Sequence, residues 1–95
     1  MMRKKPEVLF FGAAWCGPSQ SFYPVLLRAY EKYKDEYLSI TSHDVDTAGE
    51  TLLKRWKVLG CPTTVTVSGQ DKELGRLVGY NKYDDVINFL RRGAL

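Results

Sequence analysis

The residues Val8-Leu9-Phe10-Phe11 form an uninterrupted apolar run that stops at Gly12, and a few positions later the chain turns to a helical pattern opening at Pro18. A strand that is apolar on both sides, rather than alternating, is the habit of a central strand with a layer packed on each face. It needs helices above and below it, so this one run already points to a layered α/β fold.

The remaining segments fit that demand. From Pro18 to about Lys34 the residues Phe22, Val25, Leu26, Ala29, Tyr30 and Tyr33 recur at helical spacing and make one apolar stripe. Pro18 suits a first turn, whereas Pro24 lies inside the helix and is expected to kink it. Tyr37 to His43 alternates as a second strand, parallel to the first through a right-handed crossover. Asp44 to Asp46 reads as a turn. Thr47 and Glu50 are spaced as a capping box that would open a short helix to about Trp56. Gly60, Cys61 and Pro62 then break the chain before a third strand, Thr63 to Val67. Ser68 to Asp71 is a hairpin turn into a fourth, antiparallel strand, Glu73 to Val78. After Gly79, Asn81 reads as an N-cap with Asp84 at the third helical position, and Val86, Ile87, Phe89 and Leu90 as the inner face of a last helix with basic Arg91 and Arg92 at its end. The order is β-α-β-α-β-β-α, a four-stranded mixed sheet in a three-layer α/β/α sandwich.

Composition narrows the function classes. Ninety-five residues, 44% of them hydrophobic and 26% charged, suit one globular domain spanning 1–95. No apolar stretch approaches the ~20 residues that span a bilayer, and no apolar segment with a cleavage site follows the basic Arg3, Lys4 and Lys5. The expectation is a soluble, cytoplasmic monomer with no membrane partner. The net charge of +3 comes largely from short clusters at the two ends, which read as solvated termini rather than a nucleic-acid surface. Two cysteines, Cys16 and Cys61, are too few for a disulfide scaffold, so cysteine here is chemistry or packing.

The chemistry is expected at Trp15-Cys16-Gly17-Pro18-Ser19, where the buried strand gives way to the helix. The first turn of a helix has unpaired N–H groups and the positive end of the macrodipole, and both stabilise an anion. A Cys16 thiolate would be that anion, and cysteines so placed have pKa values lowered from ~8.5 to roughly 3.5–7.5. The competing reading is a buried, inert cysteine that packs as a small hydrophobe.

At these residues the sequence resembles the thioredoxin family, and the resemblance spans nearly the whole chain. Trp15-Cys16-Gly17-Pro18 after an apolar strand, the internal Pro24, Asp44-Val45-Asp46, Gly60-Cys61-Pro62-Thr63 and Val78-Gly79 fall in the family's order and at nearly its spacings. The resemblance implies a thioredoxin-like fold and thiol-disulfide exchange with disulfide-containing protein substrates, with a reductase or small thiol to recharge the protein. It implies no cofactor. It assigns Cys16 as the attacking thiol and Trp15 as a flank of the substrate groove. It makes Pro62 a cis-proline facing the active site and Gly79 a flat part of the groove wall, with Gly17 and Pro18 between.

Three departures qualify this assignment. The chain begins just before what looks like the family's central strand, so the N-terminal strand and helix of typical thioredoxins are expected to be lacking and the outline nears that of glutaredoxin. The family's buried acid six residues before the attacking cysteine is Phe10, and the lysine near it on the next strand is Ser42. The second cysteine of Cys-x-x-Cys is Ser19. In a dithiol enzyme the second thiol attacks the mixed disulfide formed by the first, and a hydroxyl cannot do this, although it can donate a hydrogen bond to the Cys16 thiolate. Ser19 is then either an engineered replacement of a natural cysteine or the mark of a naturally monothiol protein; both remain open at this stage.

Cys61 stands directly before the expected cis-proline, and the resemblance puts it across a narrow gap from Cys16. A disulfide between them requires Cα atoms ~4.4–6.8 Å apart with suitable Cβ directions. With that geometry Cys61 would be a resolving or blocking thiol; otherwise it is a small side chain lining the groove. His43, the sole histidine, makes no metal-ligand spacing with the two cysteines, so no metal site is expected. A cluster shared between monothiol chains is disfavoured because Cys-Gly-Pro-Ser differs from the Cys-Gly-Phe-Ser of glutaredoxin relatives. Tyr23, Tyr80 and Tyr83 read either as groove rim or as ordinary packing. The rival function class is a thioredoxin-fold binding module that holds a partner protein in the groove without redox turnover.

Overall fold

The structure is a computed structural model that describes residues 4–95; Arg3 of the N-terminal basic cluster lies outside the described residues. The elements are β1 (Glu7–Gly12), α1 (Gly17–Tyr33) with a following 3-10 turn (Lys34–Glu36), β2 (Ser39–Asp44), α2 (Glu50–Arg55), β3 (Thr63–Val67), β4 (Glu73–Val78) and α3 (Tyr83–Gly93). The sheet has the order β2-β1-β3-β4. β1 pairs parallel with β2 and antiparallel with β3, and β3 pairs antiparallel with β4.

The continuous apolar run of β1 has the predicted cause, because its side chains alternate between two cores. Val8 and Phe10 pack with Phe22, Leu26 and Ala29 of α1 and with Val86, Phe89 and Leu90 of α3. Leu9 and Phe11 pack on the other side with Val65 and Val67 of β3 and with Trp56, Leu52 and Leu53 in and after α2. Each face of the central strand is therefore covered by helix. Tyr37 joins the first core from the loop before β2, and its buried hydroxyl donates to the Leu90 carbonyl of α3 at 2.7 Å. α1 runs unbroken as one element through Pro24, which faces solvent.

Two expected caps differ. Thr47 and Glu50 do not form a capping box. The amide of Asp46 donates to the Asp44 carboxylate at 2.7 Å, and those of Thr47 and Ala48 donate to the Asp44 carbonyl at 3.1 and 2.8 Å, so this stretch is held as a turn around Asp44. α2 starts only after Gly49, whose φ of 91° is the left-handed conformation that glycine tolerates. Asn81 likewise does not cap α3. Its side-chain amide turns back and donates to the carbonyls of Val78 and Gly79, and Lys82 becomes the residue flanking the helix. The strand expected from Tyr37 begins at Ser39, because Tyr37 is drawn into the core instead.

One consequence of the register positions the site. Since β1 and β3 are antiparallel with Phe11 opposite Thr63, the end of β1 and the start of β3 lie at the same edge of the sheet. The loops carrying Cys16 and Cys61 therefore meet there.

Candidate active site

Cys16 is the residue flanking the N-terminus of α1, with extended backbone (φ −95°, ψ 101°), and Gly17, Pro18 and Ser19 are the first three helical residues. Of the amides able to reach a side chain at this position, that of Pro18 does not exist, so the Ser19 N–H is the one presented to the sulfur. Cys16 is 7% exposed and Ser19 3%. The Cys16 thiol donates to the Cys61 carbonyl oxygen at 3.2 Å. The Ser19 hydroxyl is buried with no hydrogen-bond partner among the described residues. A buried unpaired hydroxyl costs on the order of 1–3 kcal/mol, and a thiolate beside it would draw its O–H as a donor.

These neighbours hold Cys16 below the ordinary thiol range. The largest cause is the hydrogen bond available from the Cys61 thiol, followed by that from the Ser19 hydroxyl; burial opposes them, and the Ser19 amide adds to the lowering. Cys61 moves the opposite way. Burial pushes it up first, then its hydrogen bond to Cys16, with the negative charges of Cys16 and Asp46 adding to the rise. The two titrate as a pair in which Cys16 ionises first. Alkylation of Cys16 by iodoacetamide should accordingly rise with pH through a midpoint below that of an ordinary cysteine, and a midpoint at or above the ordinary thiol range would contradict this arrangement. Peptide-resolved mass spectrometry across a pH series reads the two cysteines separately.

The other expected site residues gather around this pair. The Cys61–Pro62 peptide is cis, and the Pro62 carbonyl accepts the Gly79 amide at 2.8 Å, tying the loop before β3 to the end of β4. Gly79 has φ 77°, and a side chain built on it would meet nothing within 4 Å. Gly79→Ala should therefore destabilise through backbone strain alone, by about 1 kcal/mol with little steric effect, measurable by urea unfolding. Gly17 also faces open space. Trp15 is 68% exposed and its indole N–H donates to the Asp46 carboxylate at 2.7 Å, which fixes the ring beside the cysteine.

Sequence reasoning missed Asp46 in this role, because the partners are 31 positions apart. It also missed Leu59, 98% exposed just ahead of Cys61, and exposed Val78, in register with Thr63. An apolar residue two positions before the Cys-Pro pair was the available signal. Of the tyrosines, exposed Tyr80 sits edge-on to Phe22, whereas Tyr23 packs on Phe10 and Tyr83 under Arg28.

Phe10 and Ser42, the departures from an acid and a lysine, are cross-strand partners on β1 and β2. The Phe10 ring is buried and fills the space over Gly12, where any Cβ would lie 2.7 Å from it and 3.1 Å from the Ser19 Cβ. With Phe10 at this position β1 supplies no acid beneath Ser19, and the hollow that Ser19 lines is bordered by Phe10, Tyr23, Ser42, His43 and Asp44. His43 stacks on Phe11, ring centroids 5.2 Å apart.

Comparisons with known proteins bear on the family and the fold. A family model described as Thioredoxin matches residues 1–92. Thioredoxin H2-1 of rice is 35% identical over 92 residues, covering 95% of this chain, and the chain spans 64% of that protein's length. The thioredoxin of Alicyclobacillus acidocaldarius is 32% identical over 76 residues, covering 80% of this chain and 70% of that protein. Among solved structures, the germline-specific thioredoxin Deadhead of Drosophila melanogaster superposes with a TM-score of 0.79 at 28% identity, covering 94% of this chain and 81% of its own. The cysteine at a helix start, the cis-proline facing it and the match over nearly the full chain come together in one conclusion: this protein belongs to the thioredoxin family.

Proposed function

We propose that this chain exchanges thiols and disulfides with protein partners, with the Cys16 thiolate as nucleophile. The observation that carries the proposal is Cys16 at the N-terminus of a 17-residue helix, beside two groups able to hydrogen-bond its thiolate. The thiolate attacks a partner disulfide and forms a mixed disulfide, and the partner's other sulfur leaves. Exposed Trp15, Leu59, Val78 and Tyr80 offer the partner apolar surface with partly exposed Gly79 among them, and Pro62, its side chain fully buried, shapes the loop that carries Cys61. Ser19 makes the Cys-x-x-Ser motif monothiol, since its hydroxyl stabilises the Cys16 thiolate and cannot displace the partner. Partners are disulfide-containing proteins, with a reductase or small thiol returning the protein to its reduced form, in a reducing compartment such as the cytoplasm.

Incubation with a protein disulfide such as insulin tests the proposal. A covalent adduct through Cys16 should appear on non-reducing gels and vanish with dithiothreitol. Partner capture that persists unchanged in Cys16→Ala would favour instead a binding module without redox turnover.

A further inference from the structure

We infer that Cys61 is the second thiol of the exchange reaction, closing a disulfide with Cys16 that expels the partner in place of the thiol missing at position 19. The inference rests on the exchange activity proposed above. Both cysteines are free in this structure, and the Cys16 sulfur lies 3.2 Å from the Cys61 carbonyl oxygen. Backbone geometry places that oxygen roughly 2.4 Å from its own Cα, so the Cys16 sulfur is within about 5.6 Å of the Cys61 Cα. Cys61 sits in a bend before β3 rather than in the ladder, in a loop held by the Thr63 hydroxyl on the Gly60 carbonyl and the Gly79 amide on the Pro62 carbonyl. It is half-exposed and directly follows exposed Leu59 and Gly60, whereas Ser19 is buried beneath Cys16.

The chemistry balances without any further oxidant. In the first step the Cys16 thiolate attacks one sulfur of the partner disulfide. That bond breaks, the mixed disulfide forms, and the partner's other sulfur leaves as a thiolate that is protonated from water. In the second step Cys61 gives its proton to solvent and attacks the Cys16 sulfur. The mixed bond breaks, and the second partner sulfur leaves. The partner disulfide gains two electrons, and the two protein thiols lose them to become the Cys16–Cys61 disulfide. An external dithiol, or two equivalents of a monothiol, then reduces it.

The order of the steps follows from charge. While Cys16 is a thiolate its negative charge and its hydrogen bond keep the Cys61 proton in place. Once Cys16 is tied up in the mixed disulfide that charge is gone, and Cys61 becomes more acidic when its thiolate is needed.

Oxidised glutathione and intact-mass spectrometry test the inference on the full chain. In the wild-type protein a glutathione adduct on Cys16 should form early and give way to a species two hydrogens lighter than the reduced chain, with a proteolytic cross-link joining the Cys16 and Cys61 peptides. In Cys61→Ser, and independently in Cys61→Ala, the adduct should persist as the end product, at least about 10-fold above its wild-type level. A wild-type adduct as persistent as that of the variants, or one carried by Cys61 in place of Cys16, overturns the role of Cys61 while leaving exchange itself standing. Formation of neither adduct nor internal disulfide overturns the exchange reading as well.

Discussion

Cys16→Ser is expected to abolish disulfide exchange, lowering the rate of insulin reduction by at least about 10³-fold. A serine hydroxyl stays protonated at neutral pH, so the hydrogen bonds and helix terminus that favour an anion at this position have no anion to act on. The remaining thiol, Cys61, has its pKa pushed up by burial and so supplies little thiolate in its place. The change should leave the fold intact. Serine is among the preferred residues at a helix N-cap, and Cys16 makes no side-chain capping bond that would be lost. Urea unfolding should therefore give a midpoint equal to or above that of the wild type. A residual exchange rate within about 10-fold of wild type, with the fold preserved, would remove Cys16 from the mechanism.

Phe22→Ala should cost about 3–5 kcal/mol of stability, a large share of the roughly 5–15 kcal/mol that holds a domain of this size together. Phe22 is fully buried on the inner face of α1, in the core that Phe10 of β1 shares with Val86 and Leu90 of α3. Its ring meets that of Phe10 at 6.4 Å between centroids and that of Tyr80 at 5.8 Å. Truncation leaves a cavity lined by strand, helix and a rim residue of the site, and none of these can collapse inward without moving the others. Phe22→Leu keeps most of the volume and should cost less than about 1.5 kcal/mol. Equilibrium urea unfolding of the two variants checks both values. Equal losses for Ala and Leu would mean that ring geometry, rather than filled volume, dominates at this position.

Much of the fold was legible before any coordinates. β1 could be read as a central strand because four consecutive apolar residues cannot all be buried on one face. α1 and α3 carried their stripes openly, and the β3–β4 hairpin was marked by Ser68-Gly69-Gln70-Asp71. The two caps failed for one physical reason. Thr47 and Asn81 have side chains that fit a capping pattern, but competing acceptors nearby were invisible in the spacing: the Asp44 carboxylate and carbonyl in one case, the carbonyls ending β4 in the other. Local pattern lists the acceptors that could serve the free N–H donors of a helix N-terminus. It does not show who else is competing for them.

At the site the division is sharper. The sequence by itself placed a cysteine at the start of α1, the position proposed here for the nucleophile, because the strand, the loop and the first turn of α1 are contiguous and their chemistry is local. It determined equally that position 19 holds a hydroxyl, so that in the proposed exchange reaction release of a partner falls to another group. Only the tertiary structure decided which groups surround that nucleophile. Cys61 is 45 positions from Cys16, and the indole of Trp15 is held by a carboxylate 31 positions away. Both contacts depend on strand register. Antiparallel pairing of β1 with β3 brings the Cys61 loop to Cys16, and parallel pairing of β1 with β2 brings the Asp46 turn to Trp15. Register is set by the whole buried face of each strand and not by the residues that meet at its end.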